Sequence, residues 1–350
     1  MKYPKYATTV VGAHSVPDWF EALDRLMAVG QLAMASMADA QYRAGEAAIL
    51  DQELAGIDVI TGGEMHRRTH NRHSPPNAML NFFWQKIPAF HGATRPRPIT
   101  KHDPDVFHPA ATCRGKITDN IDLGLVDEFK IVSSLTRRPI KITMTGPLTL
   151  CKVAFDEYYG GDLRRMTLDA GKLIRHNFQM LAQAGCKNIQ LDEPFFTVSE
   201  EDEVDAAVEA INLAIEGLPP DTHVSIHVCQ GNYAVGKEYD GQIGHRYFDH
   251  GRYKADKICR IECSSLLVEH DMTHHYEGLL GNKQLGVGAV DVQDPKVETG
   301  EVVAERILAY RWLVPEQTIV TSSCGFNHLP RQTAFGKLRA MTEAKRVLGG

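Results

Sequence analysis

No apolar run in this 350-residue chain approaches the ~20 residues that a membrane span needs. The N-terminal stretch MKYPKYATTVVGAH also lacks the long apolar segment of a secretory signal. A basic excess is missing too. A formal net charge of -6 and a pI near 6.2 give nucleic acid or an anionic membrane no electrostatic reason to bind. Cysteine is too scattered for a disulfide framework. The seven cysteines, at positions 113, 151, 186, 229, 259, 263 and 324, are odd in number and far apart, which predicts reduced thiols in a cytoplasm, a few of them binding metal. Internal repeats and low-complexity tracts are likewise missing. What remains, at 43 % hydrophobic residues, is a globular protein with a substantial core, long enough for two domains or for one large α/β barrel.

Eight short apolar or β-branched runs punctuate the chain: Ala7–Gly12, Ile57–Gly62, Ile140–Thr145, Asn188–Asp192, His223–Cys229, Lys257–Cys263, Gln284–Val292 and Thr318–Cys324. The intervals from Asp18 to Gly56 and from Leu163 to Gly185 repeat apolar residues at three- and four-residue steps, and each ends in a glycine suited to a helix C-cap. Strands alternating with helices, eight of each, predict an α/β fold of the (β/α)8 barrel type over residues 1–350. Periodicity alone leaves a doubly wound sheet as the alternative. Residues 65–116 form a long insert after the second strand, carrying HRRTHNRH, SPPN, NFFWQKIPAF and TRPRPIT. An insert of that length predicts an extra hairpin or lid, its arginines facing an anionic substrate, solvent or another subunit. A second irregular piece, Gly231 to Tyr253, follows the fifth strand.

The chemistry concentrates in SIHVCQ, RIECSS and TSSCGF. Side chains on a strand alternate, so a His-x-Cys step turns His227 and Cys229 to one face, and together they make half of a tetrahedral zinc site. Barrel active sites assemble at the carboxyl ends of the strands. Glu262 and Cys324 close the sixth and eighth strands and complete the set of four. Cys263 alternates to the opposite face from Glu262. With Cys259, Cys113, Cys151 and Cys186 it reads as structural, since cysteine is often buried as a small hydrophobe. His274 and His275, in polar surroundings, read as surface residues. Sulfur-rich ligation suits activation of a substrate thiol, because a thiol on zinc loses its proton near neutral pH and stays nucleophilic. A hydrolase more typically uses three nitrogen- and oxygen-rich ligands and a water. The expectation is alkyl transfer to a thiol.

The motifs TTVVGAHSVP, DVITGGE, TGPLT, IQLDEP, IHVC, IEC, VGAVDVQDPKVET and SSCG, in this order, resemble the catalytic barrel of the cobalamin-independent methionine synthase family. The resemblance runs over nearly the whole chain. It implies a (β/α)8 barrel in which zinc, held by His227, Cys229, Glu262 and Cys324, activates homocysteine to take a methyl group and become methionine. It further implies that Glu64 and Asp192 hold the substrate amine, as carboxylates suit a cation, with Glu193 a further candidate on the same rim. Outside the resemblance, a salt bridge for Glu64 and a cap or turn role for Asp192 are the plain alternatives.

Three departures stand out. Ala13 occupies the place of a serine that helps hold the substrate carboxylate. Gln293 replaces a histidine linked to proton transfer, and an amide does not titrate; His14, Asp291 or a histidine of the HRRTHNRH stretch would have to compensate. The long family members carry a second, N-terminal barrel that helps bind methylfolate. A chain with the catalytic barrel alone is expected to take its methyl group from methyltetrahydrofolate, from another carrier such as a methylated corrinoid protein, or with a partner protein's help. The runner-up is alkyl transfer to a different thiol, as in epoxide–coenzyme M transferases. A zinc-free lyase similar to uroporphyrinogen decarboxylase has no use for His227, Cys229 and Cys324, and a silent zinc-binding subunit predicts metal without response to a thiol.

Overall fold

The computed structural model describes residues 3–67, 78–91, 94–100, 103–195, 199–229, 261–265 and 282–350, with the backbone alone at 28, 78, 98–100, 103–108 and 261–265. In chain order its strands are β1 (Ala7–Thr8), β2 (Arg95–Thr100), β3 (Asp103–Ala110), β4 (Thr112–Cys113), β5 (Lys141–Thr145), β6 (Phe155–Asp156), β7 (Asn188–Asp192), β8 (His223–Val228), β9 (Ile261–Ser265), β10 (Leu285–Val290) and β11 (Thr318–Ser322). Seven of them form one sheet, in the order β1-β11-β10-β9-β8-β7-β5, and every pairing in it is parallel. Parallel bridges from Val59 to Thr9 and from Ile60 to Ile140 join its two ends. The sheet therefore closes, with residues 57–63 as the eighth stave, and the expected (β/α)8 barrel is the observed one.

That second stave is a row of bridges, not a continuous ladder, because side chains take its backbone groups. Thr61 N–H donates to Gln52 Oε1 (2.9 Å), Asp58 N–H to Thr8 Oγ1 (3.0 Å) and Gly63 N–H to Thr61 Oγ1 (3.2 Å). The sixth run falls at Ile261–Ser265, shifted toward its C-terminal side, and residues 257–260 lie outside the described residues. So do residues 231–253, Cys259, His274 and His275.

The long amphipathic interval before the second stave forms two helices, α1 (Asp18–Ala28) and α2 (Met34–Ala55), divided around Gly30. After it the chain makes a single turn at Met65–Arg67, the helix α3 (Ala78–Trp84) and an antiparallel β2–β3 hairpin. The described arginines of this insert are engaged within the chain. Arg95 and Arg114 pair with Glu157 at 3.3 and 2.9 Å, and Arg95 lies 4.1 Å from the centre of the Phe155 ring. Arg97 donates to the Ala154 carbonyl. Most of HRRTHNRH falls outside the described residues. The helices α4 (Leu125–Leu135), α5 (Pro147–Lys152), α6 (Leu163–Gln183) and α7 (Glu201–Ala214) follow, then Gly300–Leu308 and Arg331–Val347.

Alternation sorts the strand residues into two sets. Ile142, Met144, Ile189, Leu191, Val224 and Ile226 join helix residues such as Ile174, Phe178 and Ile211 in one continuous core. Each such side chain contributes roughly 1.5–3 kcal/mol by leaving water. The other set is polar: Lys141, Thr143 and Thr145 on β5, Asn188, Gln190 and Asp192 on β7, His223, Ser225 and His227 on β8, all buried. At the amino ends of the strands Tyr3, Ala7, Val59 and Ile319 form an apolar plug. The His223 ring stacks on Tyr3 at 3.7 Å, and burial pushes this histidine down to about 3, so it stays neutral. Among the described residues, no helix is long and apolar enough to cross a membrane.

Candidate metal centre

His227 lies near the carboxyl end of β8, Cys229 just past it, and Cys324 two residues beyond β11. One ligand atom from each lies within 4.8 Å of the other two. The two sulfurs are 3.9 Å apart, too far for a disulfide. Cys324 is held in place through its turn: Ser322 Oγ donates to the Cys324 carbonyl (2.8 Å), Ser323 N–H to Val290 (2.8 Å), and Phe326 N–H to Ala13 (2.9 Å). Glu262 pairs with Ser225 on the β8–β9 ladder, two residues before the level of His227, which aligns with Ser264. The Glu262 side chain lies outside the described residues.

Two observations fit this cluster to a cation. The His227 ring is buried, yet neither of its nitrogens has a hydrogen-bond partner among the described residues; an orphaned buried imidazole otherwise costs about 1–3 kcal/mol. The Cys324 thiol is drawn well below its ordinary range by the Cys229 thiol and by His227, against the push of burial. The structural cysteines go the other way: burial raises Cys113 to about 11 and Cys186 to about 12, and pushes Cys151 up as well. Two thiols and an imidazole are soft and borderline donors of the kind that select zinc and similar ions.

A polar cluster adjoins the ligands. Asp192 shares a rung of the β7–β8 ladder with His227. Burial pushes its carboxyl up to about 7; Glu64 adds to the push, while His227, Gln190 and Lys141 pull against it. Gln190 donates to Asp192 Oδ1 at 2.7 Å and takes a bond from Lys141 Nζ at 2.5 Å. Glu64, in the left-handed region at φ 60°, accepts from the Thr143 hydroxyl and pairs with Arg67 at 3.2 Å.

The other residues singled out from the sequence have the following places. Glu193 follows Asp192 on the chain, but its oxygens accept from Leu148 N–H, Thr149 N–H and Thr149 Oγ1 at 2.9, 2.9 and 2.7 Å, capping the first turn of α5. A side chain at Gly146 would run into this carboxylate, which accounts for the glycine of TGPLT. Ala13 bridges Gly63 and packs beside Gly325. Gln293 and Asp291 are half-buried beyond β10, where Gln293 N–H donates to Asp291 Oδ1 at 2.8 Å.

His14 is buried with its Nε2 3.3 Å from Asp51, which accepts two 2.7 Å bonds from Arg331. Burial works to raise the Asp51 carboxyl, but His14 and Arg331 outweigh it and hold it at about 2. A depressed carboxyl stabilises the fold above its unfolded pKa of about 3.9 and loses that contribution as pH falls through the folded value. Asp51→Asn should therefore lower stability by about 2 kcal/mol at neutral pH, the gap to wild type closing between roughly pH 4 and pH 2. Urea unfolding across that window checks it; a constant gap would assign the loss to packing.

Sequence reasoning missed Arg67, Thr143, Lys141 and Gln190. The signal was present: polar residues at every second position of KITMT and NIQLD, in strands covered on both faces, have to meet one another inside the barrel.

A closed parallel barrel whose carboxyl-end rim gathers a histidine and two cysteines beside a buried carboxylate defines an α/β-barrel protein with a sulfur-rich candidate metal centre. The family described as "Cobalamin-independent synthase, Catalytic domain" matches residues 6–346. The chain belongs to this cobalamin-independent methionine synthase family and is a methyltransferase. It is 31% identical to a methionine synthase of Saccharolobus solfataricus, with 99% of this chain and 96% of that protein covered, and 30% identical to one of Pyrococcus abyssi, with 99% and 94% covered. Among solved structures, a B12-independent methionine synthase from Shewanella sp. W3-18-1, in complex with selenomethionine, shares the fold with a TM-score of 0.82 at 22% identity, covering 99% of this chain and 98% of that one.

Proposed function

We propose that the protein moves a methyl group from methyltetrahydrofolate or another methyl carrier to the thiol of homocysteine, giving methionine, with one zinc ion held by His227, Cys229, Cys324 and Glu262. Zinc, when bound, supplies the Lewis acidity that turns a substrate thiol into a thiolate near neutral pH. The observation that carries the reading is the shared rung of Asp192 and His227. It supports a role for Asp192 as acceptor for a substrate amine, since the carboxylate lies one strand away from His227 and Cys229. Glu64 adds as a like charge to the push on the Asp192 carboxyl, and an ammonium beside them would relieve it.

In the reaction the substrate sulfur forms a bond to the methyl carbon. The thiol gives up its proton, the bond from that carbon to its carrier breaks, and its electron pair leaves on the carrier, which takes up a proton where the carrier is a folate amine. Asp192, on the rung of His227, is the candidate for handling a proton here, Gln293 offers a non-titrating amide beyond β10, and His14 is tied to Asp51. The absence of a hydroxyl at Ala13 favours a second reading, transfer to a thiol without homocysteine's carboxylate.

Titrating the cobalt-substituted protein with homocysteine tests the acceptor, and the sulfur-to-metal charge-transfer band is the readout. The band should grow and saturate, and adding methyltetrahydrofolate or a methylated corrinoid should then yield methionine from one of them. A band that ignores homocysteine and answers a different thiol would replace the acceptor. Cobalt binding with no response to any thiol would sink the proposal.

A further inference from the structure

We infer that Arg67 and Thr143 are positioning residues for Glu64, committing one of its oxygens to the protein and presenting the other, Oε2, to the amine of the substrate. The inference rests on the reading of Glu64 as an amine acceptor and goes beyond it by naming the atom and the residues that orient it.

The argument is one of donors and acceptors. Arg67 is fully buried, and its guanidinium can only donate. Nη1 donates to Thr143 Oγ1 at 3.0 Å, and Nη2 donates to the Thr143 carbonyl at 2.8 Å and to Glu128 Oε1 and Oε2 at 3.0 and 2.8 Å. Thr143 Oγ1 therefore accepts from the arginine, and its single proton is left for Glu64 Oε1, to which it donates. Nη1 also lies 3.2 Å from that same Oε1. One Glu64 oxygen thus faces two donors, while Oε2 has no hydrogen-bond donor among the described residues.

Backbone and sterics hold this asymmetry. Glu64 sits in the left-handed region, a conformation that a non-glycine residue keeps only when its surroundings impose it. The one-turn helix at Met65–Arg67 begins at once, and Arg67 N–H returns to the Glu64 carbonyl at 3.0 Å. A Cβ at Gly12 would strike Oε1, so the carboxylate fits only beside a glycine. Arg67 lies between two carboxylates, Glu64 and Glu128, and Glu128 also has the His66 ring at 3.2 Å, so the arginine is shared and does not belong to Glu64 alone.

The test compares two thiols on the metal-loaded protein by calorimetry: homocysteine and 4-mercaptobutanoate, which lacks only the amine. The variants are Thr143→Val, Arg67→Lys and Glu64→Gln. Thr143→Val removes the hydroxyl and keeps both charge pairs, so it decides the matter even if Arg67→Lys folds poorly. Thr143→Val should cut the preference for homocysteine over its amine-free analogue by about tenfold, a typical loss for one hydrogen bond to a charged group. Affinity for the analogue should hold. Arg67→Lys should act in the same direction, because an ammonium cannot reproduce the guanidinium's fork. A purely structural role would weaken both thiols together and would overturn the inference. So would an unchanged preference in Thr143→Val when Glu64→Gln abolishes it. A preference that survives Glu64→Gln would instead remove Glu64 as the amine acceptor.

Discussion

Cys324→Ser should leave a folded barrel that binds little metal and turns over on the order of a thousandfold more slowly, the scale of loss when a catalytic metal site is dismantled. The fold should survive because Cys324 lies in the turn after β11, and that turn is fastened by backbone and serine bonds that the substitution keeps. The site should not, because two sulfurs 3.9 Å apart beside an imidazole with no hydrogen-bond partner among the described residues fit a cation that needs both thiols. A serine hydroxyl is a poor ligand that stays protonated at neutral pH, so the loss extends beyond geometry to charge. Metal content by atomic absorption, together with methyl transfer from the working donor, decides it. Full metal and full turnover would remove Cys324 from the centre.

Asp192→Asn should separate substrate binding from metal binding. The amide keeps the volume of the carboxylate and can still accept the 2.7 Å bond from Gln190. What disappears is the carboxylate charge in a buried place, the feature on which the proposed role of Asp192 as amine acceptor rests. Losing one charge-assisted bond to the amine should raise the homocysteine dissociation constant roughly 10- to 100-fold. Metal content should not change. Unaltered affinity would take Asp192 out of the substrate site, and lost metal would make it part of the centre itself.

The barrel was legible in the sequence because eight apolar runs marked its staves and glycines marked helix ends. The His-x-Cys step was legible for a related reason, since strand alternation makes two residues apart mean one face. What could not be read were contacts between distant parts of the chain. Arg67 meets Glu128 and Thr143 only after the barrel has closed, 61 and 76 residues away. Glu193 looked like a companion of Asp192 because the two are adjacent. Adjacency along a strand sends side chains to opposite sides, and Glu193 found the N-terminus of α5 instead. His14 beside Ala13 follows the same rule and ends against Asp51.

The two-set sorting of strand residues limits where this chain can change in length. Adding or removing one residue within β7 or β8 would exchange the sets, turning Asp192 and His227 toward the helices and leucine or isoleucine toward the rim. Parity is thus a reading frame for the barrel, and only the connections between staves lie outside it. The long excursion of residues 65–116 sits in such a connection, where chain can be gained without shifting that frame.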